Sequence, residues 1–173
     1  VHNGVVMITH MSAATINGGA VDLSGVSYDL SDPAERIQIP ANLQLVRGMQ
    51  LNAPMLGEFG SKLSPLLSNP QQAAGVLDAK IVKCDGLSLT QFAHPTGVGG
   101  SAGSAEIVFS IQNMHLANDM AEAIFIFAPR TVLEHQLVGN ITDARIQLGN
   151  GVVRSNVTVM IGKNTSMGFH GKV

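Results

Sequence analysis

Apolar runs rich in β-branched residues and stretches in which apolar and polar positions alternate with a period of two, the spacing of a half-buried strand, dominate the pattern of this chain. Gly4 to His10 is a run rich in β-branched residues. Asn17-Gly18 separates Ala14-Thr15-Ile16 from Ala20-Val21-Asp22-Leu23, the strongest short hairpin signal. Asp32-Pro33 opens a turn. Arg36 to Pro40 places Ile37 and Ile39 on one face and Gln38 on the other. Leu43 to Leu51 continues the alternation, with Gln44, Val46 and Gln50 opposite Leu43, Leu45, Met49 and Leu51. Arg47 falls on that apolar face, which places it at a sheet rim or in an interface.

Further strands are predicted over Leu77 to Cys84, Leu87 to Phe92, Ala105 to Met114 and Glu122 to Phe127. Asp85-Gly86 reads as a hairpin turn between the first two, and His115 to Asp119 as a turn. Ile141 to Leu148 and Val152 to Ile161 flank Asn150-Gly151, the clearest hairpin in the sequence. Helical spacing is confined to short pieces. Met55 to Leu67 carries Leu56, Phe59, Leu63, Leu66 and Leu67, interrupted by Gly57, Gly60 and Pro65. Asn69-Pro70 is a cap-and-start pair for a helix over Gln71 to Val76, and Arg130 to Val138 is a second short candidate. The expected helices therefore lie around 55–76 and 130–138.

Strands about ten residues apart, punctuated by Asn-Gly and Asp-Gly, predict a mainly β fold: an antiparallel sandwich or barrel, with jelly-roll connectivity among its forms. An α/β fold is the weaker alternative, because no long helix supports alternating units. The length suits one domain spanning residues 1–173, with extended terminal arms at about 1–10 and 162–173. The last of these is Gly-rich.

Composition changes the picture in one respect. Only 13 % of the residues are charged, against about 25 % in ordinary soluble domains. Polarity comes instead from 41 Asn, Gln, Ser and Thr residues. A free monomer keeps a charged, mixed-sign surface, so a chain without one is expected to cover its surface with neighbours. Net charge is −2, and Lys62, Lys80, Lys83, Arg130, Arg145 and Arg154 form no run. Direct nucleic-acid binding is therefore not expected. Tyr28 is the sole tyrosine and Trp is absent, so stacking platforms for bases or sugars are scarce. A lone cysteine, Cys84, excludes an internal disulfide framework and reads as a small apolar core residue. No stretch offers about twenty continuous apolar residues, and no signal-peptide pattern is present. The initial Val1 is compatible with processing from a precursor.

Candidate chemistry is thin. Gly99, Ser101 and Gly103 fit G-x-S-x-G, the nucleophile elbow, with Asp119 or Asp143 and His135 or His170 downstream in the required order. That elbow needs a strand before the serine and a helix after it, whereas a strand follows here. Gly97, Gly99 and Ala102 fit G-x-G-x-x-A, with Asp119 about twenty residues on, but again without a helix. His115, Asp119 and Glu122 would share one face of a helix and could hold a divalent cation, yet solvated side chains on a turn are the simpler reading. Three sequons, at Asn140, Asn156 and Asn164, matter only in a glycosylating compartment.

The expectation is a non-enzymatic structural subunit of a large homo-oligomer: a virion component (capsid, decoration or tail) or a secreted appendage. Interface cores are depleted in charge, and uncharged amides and hydroxyls pair across them without the desolvation penalty of ions. Its partners would be copies of itself and other structural proteins of the same assembly, in a virion or extracellular setting, with a cytoplasmic one left open. No catalytic residue, cofactor or metal is expected. The candidate assembly loop is the Gly-rich tract carrying Gly97, Gly99, Gly100, Ser101 and Gly103. An extracellular ligand-binding β-sandwich of the adhesin kind is the second reading, and a hydrolase using Ser101 the third.

Overall fold

A computed structural model describes residues 4–11, 14–57, 65–88, 103–127, 132–133, 136–149, 152–161 and 165–172. The fold is mainly β, with two antiparallel sheets arranged as a β-sandwich and no closed barrel. The larger sheet is built on four long strands: β7 (Gln72–Asp85), β9 (Ser104–Ala117), β11 (Gln136–Gly149) and β12 (Val152–Ile161). Its order is β13-β12-β11-β9-β7-β6-β3-β2, where β2 is Ala14–Ile16, β3 Gly19–Val21, β6 Val46–Gln50 and β13 Thr165–Lys172. The short β10 (Val132–Leu133) pairs with β11 off this path. The smaller sheet has the order β1-β4-β5-β8: Val5–Met7, Ser27–Asp29, Arg36–Gln38 and Leu87–Ser88.

One face of the larger sheet carries the core. Alternate residues of β9, β11 and β12 (Phe109, Ile111, Ile141, Ile146, Val157 and Val159 among them) are almost wholly buried. Leu56, Leu66, Leu67 and Ala121 cover them from helical pieces: a turn at 53–57, a 3-10 turn (Pro65–Leu67), and α1 (Asp119–Phe127). Asn118 joins two of these covers. Its side-chain oxygen accepts from the Ala121 amide at 2.8 Å as the cap of α1, and its amide donates to the carbonyls of Leu66 (2.7 Å) and Ser68 (3.0 Å).

Several expectations hold. Asn17 and Gly18 both take positive φ, the turn a two-residue hairpin requires, and join β2 to β3. β11 and β12 pair as a hairpin out to Gly149 and Val152. Arg47 is a correction: it does not lie on the apolar face at a sheet rim, because a bulge turns it off that face on an interior strand. Gly48, at φ +66°, adds one residue to β6 between the pairs Val46–Ala79 and Met49–Leu77, so Val46 and Met49 both face the core and Arg47 is exposed. The Gly48 amide donates to the Asp78 carboxylate at 3.0 Å.

Other expectations are corrected. Of the helix expected around 55–76, residues 58–64 lie outside the described residues; the described ones form a helical piece at 53–57 and a 3-10 turn at 65–67, and Gln72 onward is β7, whose side chains alternate between core and solvent from Gly75. The described residues of 130–138 are strand, with Val132 facing Leu137 and Leu133 facing Gln136. The second true helix is instead α1, where a strand was read over Glu122–Phe127. Asn118 caps it and Asp119 and Glu122 occupy its first turn, where carboxylates complement the helix dipole. Asp85-Gly86 is not a hairpin turn. The chain crosses there from β7 of the larger sheet to β8 of the smaller one.

Candidate assembly surface

The sequence-derived loop is only partly in view. Gly97, Gly99, Gly100 and Ser101 lie outside the described residues, as do Ala102, His135 and Asn164. Gly103 lies within them, at φ +73°, packed on the backbone of Asp85 and Gly86. The cation-binding trio does not share a helix: His115 is exposed on β9, while Asp119 and Glu122 sit on α1. Among the described residues, no three His, Cys, Asp or Glu side chains are grouped to hold a metal. Asp143 stands 3.7 Å from Arg145 on β11, and His170 is exposed on β13. Cys84 is half-buried, its thiol directed at the Ile37 carbonyl at 3.7 Å. Asn140, the first sequon, uses its side-chain oxygen to accept from the amide of Asn113, the residue that bulges β9 at φ +50°. No helix among the described residues is long and apolar enough to cross a membrane.

The end segments considered as arms are paired where they are described: Val5–Met7 as β1 and Thr165–Lys172 as β13. Among the described residues, each is the outermost strand of its sheet. β13 pairs with β12 over eight consecutive residues, Thr165–Lys172 against Ile161–Arg154, without a register shift. Met167 and Phe169 point to the core side, and Ser166, Gly168 and His170 to the other. The remaining amides and carbonyls of such a strand run outward along the sheet edge. β1 is short, and its surroundings expose apolar side chains: Val6 is 41 % exposed, Met7 54 % and Leu30 62 %.

Register also gathers basic residues that are scattered in sequence. On the outer face, one row across the sheet reads Lys83, Glu106, Gln147, Arg154, Lys172. The next reads Lys80, Val108, Arg145, Asn156, His170. Five of the ten Lys and Arg residues thus share one face. Arg145 bonds Glu106 at 3.1 Å, and Lys83 lies 3.7 Å from Asp85. No family model, curated protein or solved structure matches the chain. The reading therefore rests on this geometry.

Sequence reasoning missed both features. The Gly-rich composition of the tail hid the alternation of Met167 and Phe169 with Ser166, Gly168 and His170, which was the available signal for β13. The basic face had no linear signal, because it exists only through cross-strand register.

Away from this face, in the smaller sheet, the carboxylate of Asp29 is tuned locally. The Ser31 hydroxyl donates to Asp29 at 2.6 Å and its amide at 2.8 Å, which holds this carboxylate below its ordinary range. A depressed carboxylate stabilises the fold above its unfolded-state range and loses that contribution as pH falls through the folded value. Ser31→Ala removes the larger donation and is expected to move Asp29 back toward the ordinary range. A carbon-detected NMR titration of the side-chain carboxylates checks this; an unmoved Asp29 would show that the hydroxyl bond is absent in solution.

Proposed function

We propose that the chain is a structural subunit that joins copies of itself by strand addition at β13, within a large homo-oligomeric assembly such as a virion or secreted appendage. The observation that carries this is the state of the β13 edge. Proteins that stay monomeric blunt their sheet edges with short strands, bulges, proline or charge. β13 is eight residues long, keeps one register, and holds no proline and no Asp, Glu, Lys or Arg over residues 165–171. Low overall charge supports the same reading, since buried contacts between copies disfavour unpaired ions.

A β13-to-β13 contact related by a two-fold axis closes at the dimer, whereas a head-to-tail contact continues into a ring or filament. The counterpart for head-to-tail growth is β1, the outermost strand of the smaller sheet, with Val6, Met7 and Leu30 exposed around it. Strand addition gives affinity through main-chain bonds and specificity through alternate side chains.

The test is native mass by light scattering, with negative-stain imaging, on the parent and on a Ser166→Lys, Gly168→Lys double variant. Both positions are exposed, and a Cβ at Gly168 meets nothing closer than 3.8 Å, so the variant keeps the fold. The parent is expected as large symmetric or filamentous particles, and the variant as the 18.1 kDa monomer. A parent that stays monomeric at high concentration overturns the assembly; a variant that assembles like the parent overturns the role of β13.

A further inference from the structure

We infer that the outer face at the β11–β13 end of the larger sheet binds a phosphate or sulfate group carried on a small organic molecule. The site goes beyond the assembly reading and needs no second copy. Arg154 and Lys172 are direct cross-strand partners on this face. Like charges placed opposite one another in an antiparallel pair are destabilising. No carboxylate among the described residues lies within ion-pair distance of either one, whereas Arg145, on the next strand, has both Glu106 and Asp143. Among the described residues, the fold therefore sets two adjacent cations together with no carboxylate paired to either. An anionic group set between them offsets that repulsion and accepts charge-assisted hydrogen bonds from both.

The surroundings fit such a group. The depression is about 300 Å³, at the lower end of the range for small-molecule sites. Asn156 and His170 line it one row along from the cations, and Gln147 flanks Arg154 on the inner side. These side chains offer neutral hydrogen bonds to the ester oxygens and to the carrier. An extended polyanion fits poorly. It needs a track of several cations, and here Glu106, Asp143 and Asp85 interrupt the positive face beyond Arg145.

The test titrates inorganic phosphate and sulfate against chloride at constant ionic strength, reading thermal unfolding and amide NMR shifts. The parent is expected to melt higher in phosphate than in matched chloride, with shifts confined to β11, β12 and β13 around the depression. Arg154→Gln and Lys172→Gln each weaken phosphate binding by at least tenfold. In low-salt chloride without phosphate, both variants are expected to melt at or above the parent, because the like-charge pair is gone. Phosphomonoesters that bind more tightly than inorganic phosphate support the carrier-bound form, and equal affinity overturns that part. A phosphate response no greater than chloride, or one unchanged in both variants, overturns the site itself.

Discussion

Asn118→Ala is expected to destabilise the fold by about 3 kcal/mol, measured by chemical denaturation. The side chain is 1 % exposed and makes three hydrogen bonds that tie α1 to the 3-10 turn. Losing a helix cap costs about 1 kcal/mol. Each of the two amide donations to Leu66 and Ser68 contributes about 1 kcal/mol net. The effect is larger than that of an ordinary cap because the same side chain spans two covers of the core. Asn118→Asp separates the two roles. Aspartate caps helices as well as asparagine does, but its carboxylate would lie buried against two carbonyl oxygens. If capping were the whole contribution, Asn118→Asp would be nearly neutral. If the bridge matters, it is at least as damaging as alanine. A loss below about 1 kcal/mol for the alanine variant would show that the three bonds do not persist in solution.

Asn118 also shows where the sequence was legible and where it was not. Apolar, β-branched runs bounded by turn signals identified most of the long strands, because such residues suit a pleated, packed surface. Asn17-Gly18 was equally direct, since positive φ at two successive residues selects those types. The failures arise where a residue's partner is distant in sequence. Glu122–Phe127 is apolar and rich in residues that favour strands, yet it is helical because Asn118 caps it and Met120, Ala121 and Ile124 pack on the core. Residues 71–76 follow a good helix-start signal, but Ala73 and Ala74 pair with Leu116 and His115 across β9. Gly86 looks like a hairpin residue locally and serves as the crossing between sheets. Both features of the candidate surface belong to this second class. An outermost strand is defined by the neighbour it lacks, and the Arg154–Lys172 pair by register across a turn. Neither is a property of any local window.

Gly103→Ala is expected to cost more than about 3 kcal/mol or to detach the start of β9, while Gly48→Ala costs only about 1 kcal/mol. Both glycines have left-handed backbone, at φ +73° and +66°, so both substitutions carry the same conformational penalty of about 1–2 kcal/mol. They differ in space. A Cβ at Gly48 meets nothing within 4 Å, whereas one at Gly103 collides with the Gly86 carbonyl oxygen and stands 2.6 Å from its carbon and 2.7 Å from the Asp85 carbonyl oxygen. These are backbone atoms, and a backbone held in two sheets cannot rotate away as a side chain can. Next to the contact, Ser104 pairs with Asp85 and Gly149, and its hydroxyl bonds the Asp85 carboxylate at 3.1 Å. A methyl group must therefore push β9 off β7 at the row where three strands end. Urea unfolding measures the global loss, and hydrogen exchange at Ser104 to Glu106 reports local detachment. The pair of variants isolates the close approach, because the dihedral cost cancels between them. A Gly103→Ala protein as stable and as protected as Gly48→Ala would mean that Gly103 is not locked against the backbone of Asp85 and Gly86.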